Sequence, residues 1–228
     1  MPRIARVVIP QCPHHITQRG VRSMQVFLND GDRRKYLNLL RANGKKYGVE
    51  LLAYCLMSNH VHIVAVPESG DSLARAIGET HRKYTREVNL REDVRGYLFQ
   101  GRFYSCPTDE RYLITAALYA ERNPVRAGIC GHAWDYPWSS AAFHAGAAPW
   151  DPLVGKKVAG IPADEWKKML ENDPVSVEEL KHRSRTGRPA GTPEFISRAE
   201  LLTGRQLFPR PAGRRGADRE GELTPATS

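Results

Sequence analysis

The feature that most restricts the fold of this chain is a pair of apolar runs, "VELLAYCLM" (residues 49–57) and "HVHIVAVP" (residues 60–67), separated only by Ser58-Asn59. Apolar runs of this length, bounded by turn residues, read as buried strands, and so short a connection makes them an antiparallel hairpin. The flanking segments supply what must cover it. "HHITQRG" (14–20) alternates and ends in a turn residue, as a first short strand does. Asn29 and Asp30 are cap candidates for a helix that places Tyr36, Leu39, Leu40 and Tyr47 on one stripe and closes on Gly48. A second helix over 72–89 sets Leu73, Ile77, Tyr84 and Val88 on one face. "YLFQGRFYSCPT" (97–108) is a further strand or hairpin, and a third helix runs from a Thr108/Asp109 cap to Pro124. The order β-α-β-β-α-β-α predicts an α+β sandwich, a ferredoxin-like arrangement of a central antiparallel sheet with helices packed on it.

The texture changes near residue 150. Residues 151–208 carry short helical pieces broken by Pro and Gly, among them "TPEFISRAELLTG" with a capping layout at Thr192-Pro193-Glu194 and a Gly stop. Residues 209–228 are dominated by Arg, Gly, Pro and Ala and are expected to be a disordered basic tail. Three segments follow: a core domain over 1–150, a helical extension over 151–208 and the tail. Across 228 residues, Lys+Arg 34 against Asp+Glu 25 leaves a net charge of +9, the sign expected of a protein that meets phosphate backbones. Cys12, Cys55, Cys106 and Cys130 are scattered with no C-x-x-C pair, which argues against a structural zinc site and a disulfide framework. The N-terminal residues lack a signal-peptide layout, and no window approaches the ~18 apolar residues of a membrane span. A reduced, cytoplasmic protein with no membrane partner is the expectation.

His60 and His62 sit two apart on the second hairpin strand, so both side chains leave one face, roughly 7 Å apart at Cα. That spacing suits two imidazoles converging on a metal ion and equally suits two packed, backbone-bonded histidines. Tyr119 and Asn123 are four apart on the third helix and share its face with Tyr112 and Ala116. Asn123 precedes Pro124, so it lies at the helix end, where its amide can reach outward or cap. His14 and His15, on the first strand, read as backbone-bonded or surface histidines, with a place beside the site as the alternative, and Tyr54, Tyr84 and Tyr104 as core or DNA-stacking residues.

Taken together, "NHVHIVAVP", "FQGRFYS" and "YAERNPVRAG", in that order in a basic chain, resemble the single-tyrosine HUH transposases of the IS200/IS605 type, and most of all their chromosomal relatives, the REP-associated tyrosine transposases. The resemblance covers about residues 8–150 and runs more loosely into "TGRP" near residue 186. It implies an HUH-type sheet sandwich, His60 and His62 as metal ligands, Asn123 as the third ligand and Tyr119 as nucleophile. Asn rather than Gln at 123 fits the chromosomal branch better. The implied cofactor is Mg²⁺ or Mn²⁺, which imidazole and amide oxygen suit. The implied partners are single-stranded DNA and REP-like hairpins, met by a monomer rather than a dimer.

The residue types suit the chemistry. A tyrosine oxygen attacking phosphorus yields a phosphotyrosine ester that stores the bond for rejoining. Tyrosine ordinarily titrates near pH 10, so a metal that polarises the scissile phosphate helps it. Phosphate-contact candidates are His81, Arg82, Lys83 and Arg86 on the second helix, Arg102, Arg122 and Arg126 around the third, and Arg185, Arg188, Arg214 and Arg215 toward the C-terminus. Two other functions stay open at this level: a non-cleaving DNA-hairpin binder with the same fold, against which the presence of all four site residues argues, and an RNA-binding domain with structural histidines, supported only by charge and pattern.

Overall fold

The order β-α-β-β-α-β-α is the order the chain adopts in a computed structural model that describes residues 6–174 and 177–208. The elements are β1 (His14–Arg19), α1 (Asp30–Lys46), β2 (Val49–Leu56), β3 (His60–Pro67), α2 (Ser72–Arg91), β4 (Tyr104–Pro107) and α3 (Glu110–Glu121). There follow α4 (Asn123–Arg126), α5 (Ala141–His144), α6 (Ala163–Leu170), α7 (Val177–Thr186) and α8 (Pro193–Thr203). The basic tail beyond residue 208, with Arg214 and Arg215, lies outside the described residues.

Local chemistry sets the boundaries. The Asn29 side chain accepts from the Asp32 amide at 3.0 Å to start α1. Gly48, at φ +62°, makes the left-handed turn into β2, where a Cβ would stand 2.2 Å from the Glu68 carboxylate. Asp109 caps α3 by accepting from the Tyr112 amide at 2.9 Å, and Thr192 caps α8. Of the strand or hairpin expected from "YLFQGRFYSCPT", the structure forms the strand, over its last residues only. Gly101 turns there at φ +51°, and Phe99 makes only an isolated bridge to Gly20, so the regular strand begins at Tyr104.

The four strands form one antiparallel sheet in the order β2-β3-β1-β4. Period-two alternation then sorts β3 between two layers. Val61, Ile63 and Ala65 join Ile16, Tyr36, Leu40, Ile77 and Tyr84 in the core beneath α1 and α2. His60, His62 and Val64 face the other side, where α3 lies and where Val64 packs with Cys106, Ala116 and Trp166. Both sheet edges are covered. Residues 136–140 bond to β2 through Leu56 N–H to Trp138 C=O at 2.8 Å, and Ala190 N–H bonds to Pro107 C=O of β4 at 2.9 Å.

Half-buried against the core beneath α1 and α2 is His81, which was a candidate phosphate contact. The structure places it in an aromatic cluster instead. It stacks on Phe99 at 4.3 Å between ring centres, and its Nε2 meets the Tyr36 hydroxyl at 3.0 Å. Burial, with Arg6 a lesser cause, pushes its pKa down to about 3. The unfolded chain therefore binds a proton near pH 6.5 that the folded chain refuses, and stability falls as pH drops from about 6.5 toward 3. At pH 5 this one residue costs about 2 kcal/mol relative to pH 7. Denaturant unfolding of His81→Phe, compared at pH 7 and pH 5, is expected to show a pH penalty about 2 kcal/mol smaller than in the native chain. An unchanged penalty would mean that His81 is not buried in its neutral form.

Candidate active site

Tyr119 leaves α3 toward the sheet and meets the two histidines of β3. Its ring stands edge-on to His62 at 5.2 Å between centres, and His60 and His62 are themselves 5.1 Å apart. His60, His62, Tyr119 and Asn123 all line one open cavity of about 400 Å³, shared with Arg19, Tyr104, Lys181 and Arg185. The four residues that were separate in sequence are thus gathered in one place.

Each polar group has a reason for its orientation. Pro124 has no amide N–H, so the Ala120 carbonyl loses the donor that would continue the helix. The Asn123 side chain replaces it, with Nδ2 donating to the Tyr119 carbonyl at 2.8 Å and to Ala120 at 3.4 Å. This ends α3 at Glu121, short of the expected Pro124, and leaves Oδ1 as the Asn123 atom open to a ligand in the cavity. His60 Nδ1 lies 2.6 Å from Asn59 Oδ1, while Asn59 Nδ2 donates to the Ser23 carbonyl at 3.3 Å. The amide orientation of Asn59 is thereby set, so His60 donates through Nδ1 and keeps Nε2 unprotonated. His62 Nδ1 lies 3.1 Å from His15 Nε2. Both β3 imidazoles therefore engage Nδ1 within the protein and leave Nε2 as the nitrogen open to a ligand.

Burial keeps these imidazoles neutral. His15 and His60 are pushed down to about 4, His60 also by Arg19, and His62 lies well below the usual range through burial and then through His15 and His60. Neutral imidazole with a free Nε2, beside an amide oxygen, is a donor set that fits a divalent cation. Among the described residues no group of three or more His, Cys, Asp or Glu is placed to hold a metal. The candidate set is two histidines and an amide. Cations frame the tyrosine: the Arg126 guanidinium lies 4.7 Å from its ring centre and Lys181 Nζ 5.8 Å.

The remaining phosphate-contact candidates do not gather here. Arg82, Lys83 and Arg86 are on α2, across the sheet from the cavity, and Arg82 pairs with Glu79 through bonds of 3.0 and 2.7 Å. Arg122 is only 8% exposed. Its Nε donates to Asp173 at 3.0 Å and its terminal nitrogen to the Leu170 carbonyl, so it ties α3 to α6 instead of facing solvent. Arg188 donates to the carbonyls of Leu207 and Phe208. Arg102 is exposed in the turn before β4. Arg126 and Arg185 are the two arginine candidates at the site, beside the Tyr119 ring and in the cavity wall.

Several site residues escaped sequence reasoning. His14 is indeed backbone-bonded, to the Cys12 carbonyl at 2.7 Å and the Ile9 amide at 3.2 Å, but His15 is bonded to His62. Tyr54 and Tyr84 are core, whereas Tyr104 is 52% exposed and lines the cavity. Glu178, Lys181 and Ser184 of α7 complete the wall beside the expected Arg185. Their i, i+3, i+4 spacing marks one helical face, yet nothing in the spacing says which surface that face meets.

A family model described as "Transposase IS200 like" matches residues 9–123. No curated protein matches the sequence significantly. Among solved structures, a REP-associated tyrosine transposase bound to a REP hairpin shares the fold with a TM-score of 0.56 and 17% identity, over 72% of this chain and 96% of that one. A Deinococcus radiodurans R1 protein described as a transposase gives 0.37 and 19%, over 56% of this chain and 92% of that one.

Proposed function

Since the chain belongs to the IS200-like transposase family, we propose that it is a single-strand DNA transesterase that cuts and rejoins DNA at hairpin repeats through Tyr119. The observation that carries this reading is the convergence of Tyr119, His60, His62 and Asn123 on one cavity rimmed by Arg19, Lys181 and Arg185. In the forward step the Tyr119 phenolic oxygen bonds to phosphorus as the P–O3′ bond breaks. The phenolic proton is lost, and the departing oxygen gains one to become a free 3′-OH, leaving a 5′-phosphotyrosine. Attack by a 3′-OH on that ester reverses the step and rejoins DNA without an external energy source.

His60, His62 and Asn123 would hold a divalent ion, Mg²⁺ or Mn²⁺, which when bound supplies Lewis-acid polarisation of the scissile phosphate. The side chains do the rest. Arg19, Lys181, Arg185 and Arg126 offset phosphate charge around the cavity, and packing against His62 and His15 holds the Tyr119 ring in one direction. Tyr104, exposed at the cavity, offers a face on which a base can stack. The solved relative in complex with a REP hairpin supports hairpin DNA as the substrate class, and Asn123 supports the chromosomal, REP-associated branch. The reading includes a core domain over 1–150 and action as a monomer. Among the described residues no helix is long and apolar enough to cross a membrane.

The test is covalent trapping. The full chain, mixed with single-stranded hairpin oligonucleotides from sequence flanking its gene, is expected to give a denaturation-resistant protein–DNA adduct with Mg²⁺ or Mn²⁺ and none with EDTA. Hairpin binding with no adduct under either metal would favour a non-cleaving binder.

A further inference from the structure

Ser184, in the extension that follows the core domain, is buried at 6% exposure, and its Oγ lies 2.8 Å from His15 Nδ1. On the other side of the same imidazole, His15 Nε2 lies 3.1 Å from His62 Nδ1. The His15 and His62 ring planes are within 11° of parallel and their centres are 5.3 Å apart, a separation that nitrogens 3.1 Å apart allow only when they meet nearly end on, along their lone-pair and N–H directions. His15 and His62 are 1% and 5% exposed, which leaves the connecting nitrogens no water to turn to.

From this chain of contacts we infer that Ser184 and His15 are positioning residues that set the ring orientation and tautomer of His62, making α7 a working part of the metal site. The inference rests on the metal-dependent reading above.

A run of three such groups has only two consistent proton arrangements. In one, His62 Nδ1–H donates to His15 Nε2, His15 Nδ1–H donates to Ser184 Oγ, and His62 Nε2 carries a lone pair. In the other, every proton runs the opposite way and His62 Nε2 carries a hydrogen, which bars it from a cation. Only the first is competent, and it requires an acceptor at the far end for the His15 proton. The Ser184 hydroxyl is that acceptor. The same role is filled for His60 by Asn59 Oδ1 at 2.6 Å, so the two histidines have equivalent supports built from unrelated parts of the chain. Partners of this kind, removed from other metal sites, cost roughly 10–100-fold in metal affinity.

α7 is held against the site by more than this bond. The Tyr112 hydroxyl donates to Glu179, and Cys106 Sγ donates to the Arg188 carbonyl at 3.0 Å just beyond the helix. Ser184→Ala therefore removes the acceptor while leaving the helix seated.

The experiment uses the full chain and two readouts: Mn²⁺ affinity, followed by the EPR signal of free Mn²⁺, and the His62 tautomer in the metal-free protein, from long-range ¹H–¹⁵N spectra. Ser184→Ala is expected to weaken Mn²⁺ binding about 10–100-fold and shift His62 away from the Nδ1–H form. Ser184→Thr, which restores a hydroxyl, is expected to return both toward native values, and His15→Phe, which fills the same space, to weaken binding at least as much as Ser184→Ala. Native affinity and an unchanged tautomer in Ser184→Ala would overturn the relay. A native chain that binds no Mn²⁺ would instead refute the metal-dependent reading, and the tautomer spectra would still decide whether Ser184 controls His62.

Discussion

Tyr119→Phe is expected to form no covalent adduct with single-stranded DNA while hairpin affinity stays within about twofold of native. The substitution removes one oxygen and keeps every ring contact the tyrosine makes. These are the edge-on packing against His62 at 5.2 Å and His15 at 5.9 Å, and the Arg126 guanidinium at 4.7 Å. Nothing that shapes the cavity depends on the hydroxyl, so binding should survive. Cleavage requires a phosphorus–oxygen bond that phenylalanine cannot form, and losing a nucleophile costs covalent enzymes roughly 10³-fold or more. Gel-resolved cleavage of a labelled hairpin and adduct trapping read this directly. A variant that still cuts at the native rate would move the nucleophile elsewhere, with Tyr104 of the same cavity the next to test.

The second large effect concerns Glu121, two residues from Tyr119 on α3 and fully buried. Its Oε1 accepts from the Ser140 hydroxyl at 2.5 Å and pairs with His144 Nδ1 at 2.6 Å, while its Oε2 accepts from Trp166 Nε1 at 2.8 Å. Ser140 is in turn bonded to the Tyr54 backbone of β2, its hydroxyl oxygen accepting from the Tyr54 amide at 2.9 Å. One carboxylate thus joins the helix bearing Tyr119 to a sheet edge, to α5 and to α6. Glu121→Ala strands the three donors in a dry interior, at a cost of about 3–5 kcal/mol. For a chain of this size the melting temperature should fall on the order of 10 °C. Calorimetry or thermal circular dichroism measures it, and a fall of less than about 2 °C would show that the network carries little of the stability. Glu121→Gln, which retains an acceptor, should fall between.

The two outcomes separate the tyrosine's chemistry from its placement. Tyr119→Phe alters reaction without altering stability, whereas Glu121→Ala weakens the scaffold that aims α3 at β3. Adduct formation by Glu121→Ala below its melting temperature would be reduced in rate, not abolished.

Much of this was legible from residue order. Apolar alternation, cap residues and helical stripes are local properties, decided by steric preference and by the burial of one face, so the element order and the stripe of Leu73, Ile77, Tyr84 and Val88 follow from sequence alone. The i, i+2 spacing of His60 and His62 and the i, i+4 spacing of Tyr119 and Asn123 likewise set which residues share a face. The sequence reading went astray where a residue's neighbours come from distant segments. Arg122 looked like a phosphate contact because charge is ordinarily solvated, but Asp173 and the Leu170 carbonyl, far along the chain, take it inward. For His15 the choice between an ordinary strand histidine and a neighbour of the site stayed open, because no local pattern states that β1 lies between β3 and β4.

The sequence by itself thus determined the elements and their faces, since each depends on neighbours a few positions away, while the four candidate site residues came from the resemblance to the transposase family. Only the tertiary structure decided that β1 is the central neighbour of β3, which sets His15 against His62, and that α7 covers the cavity and brings Ser184, Lys181 and Arg185 to it. Those placements come from strand pairing and helix docking, and the contacts that select them span up to 169 positions of chain, beyond the reach of any local preference.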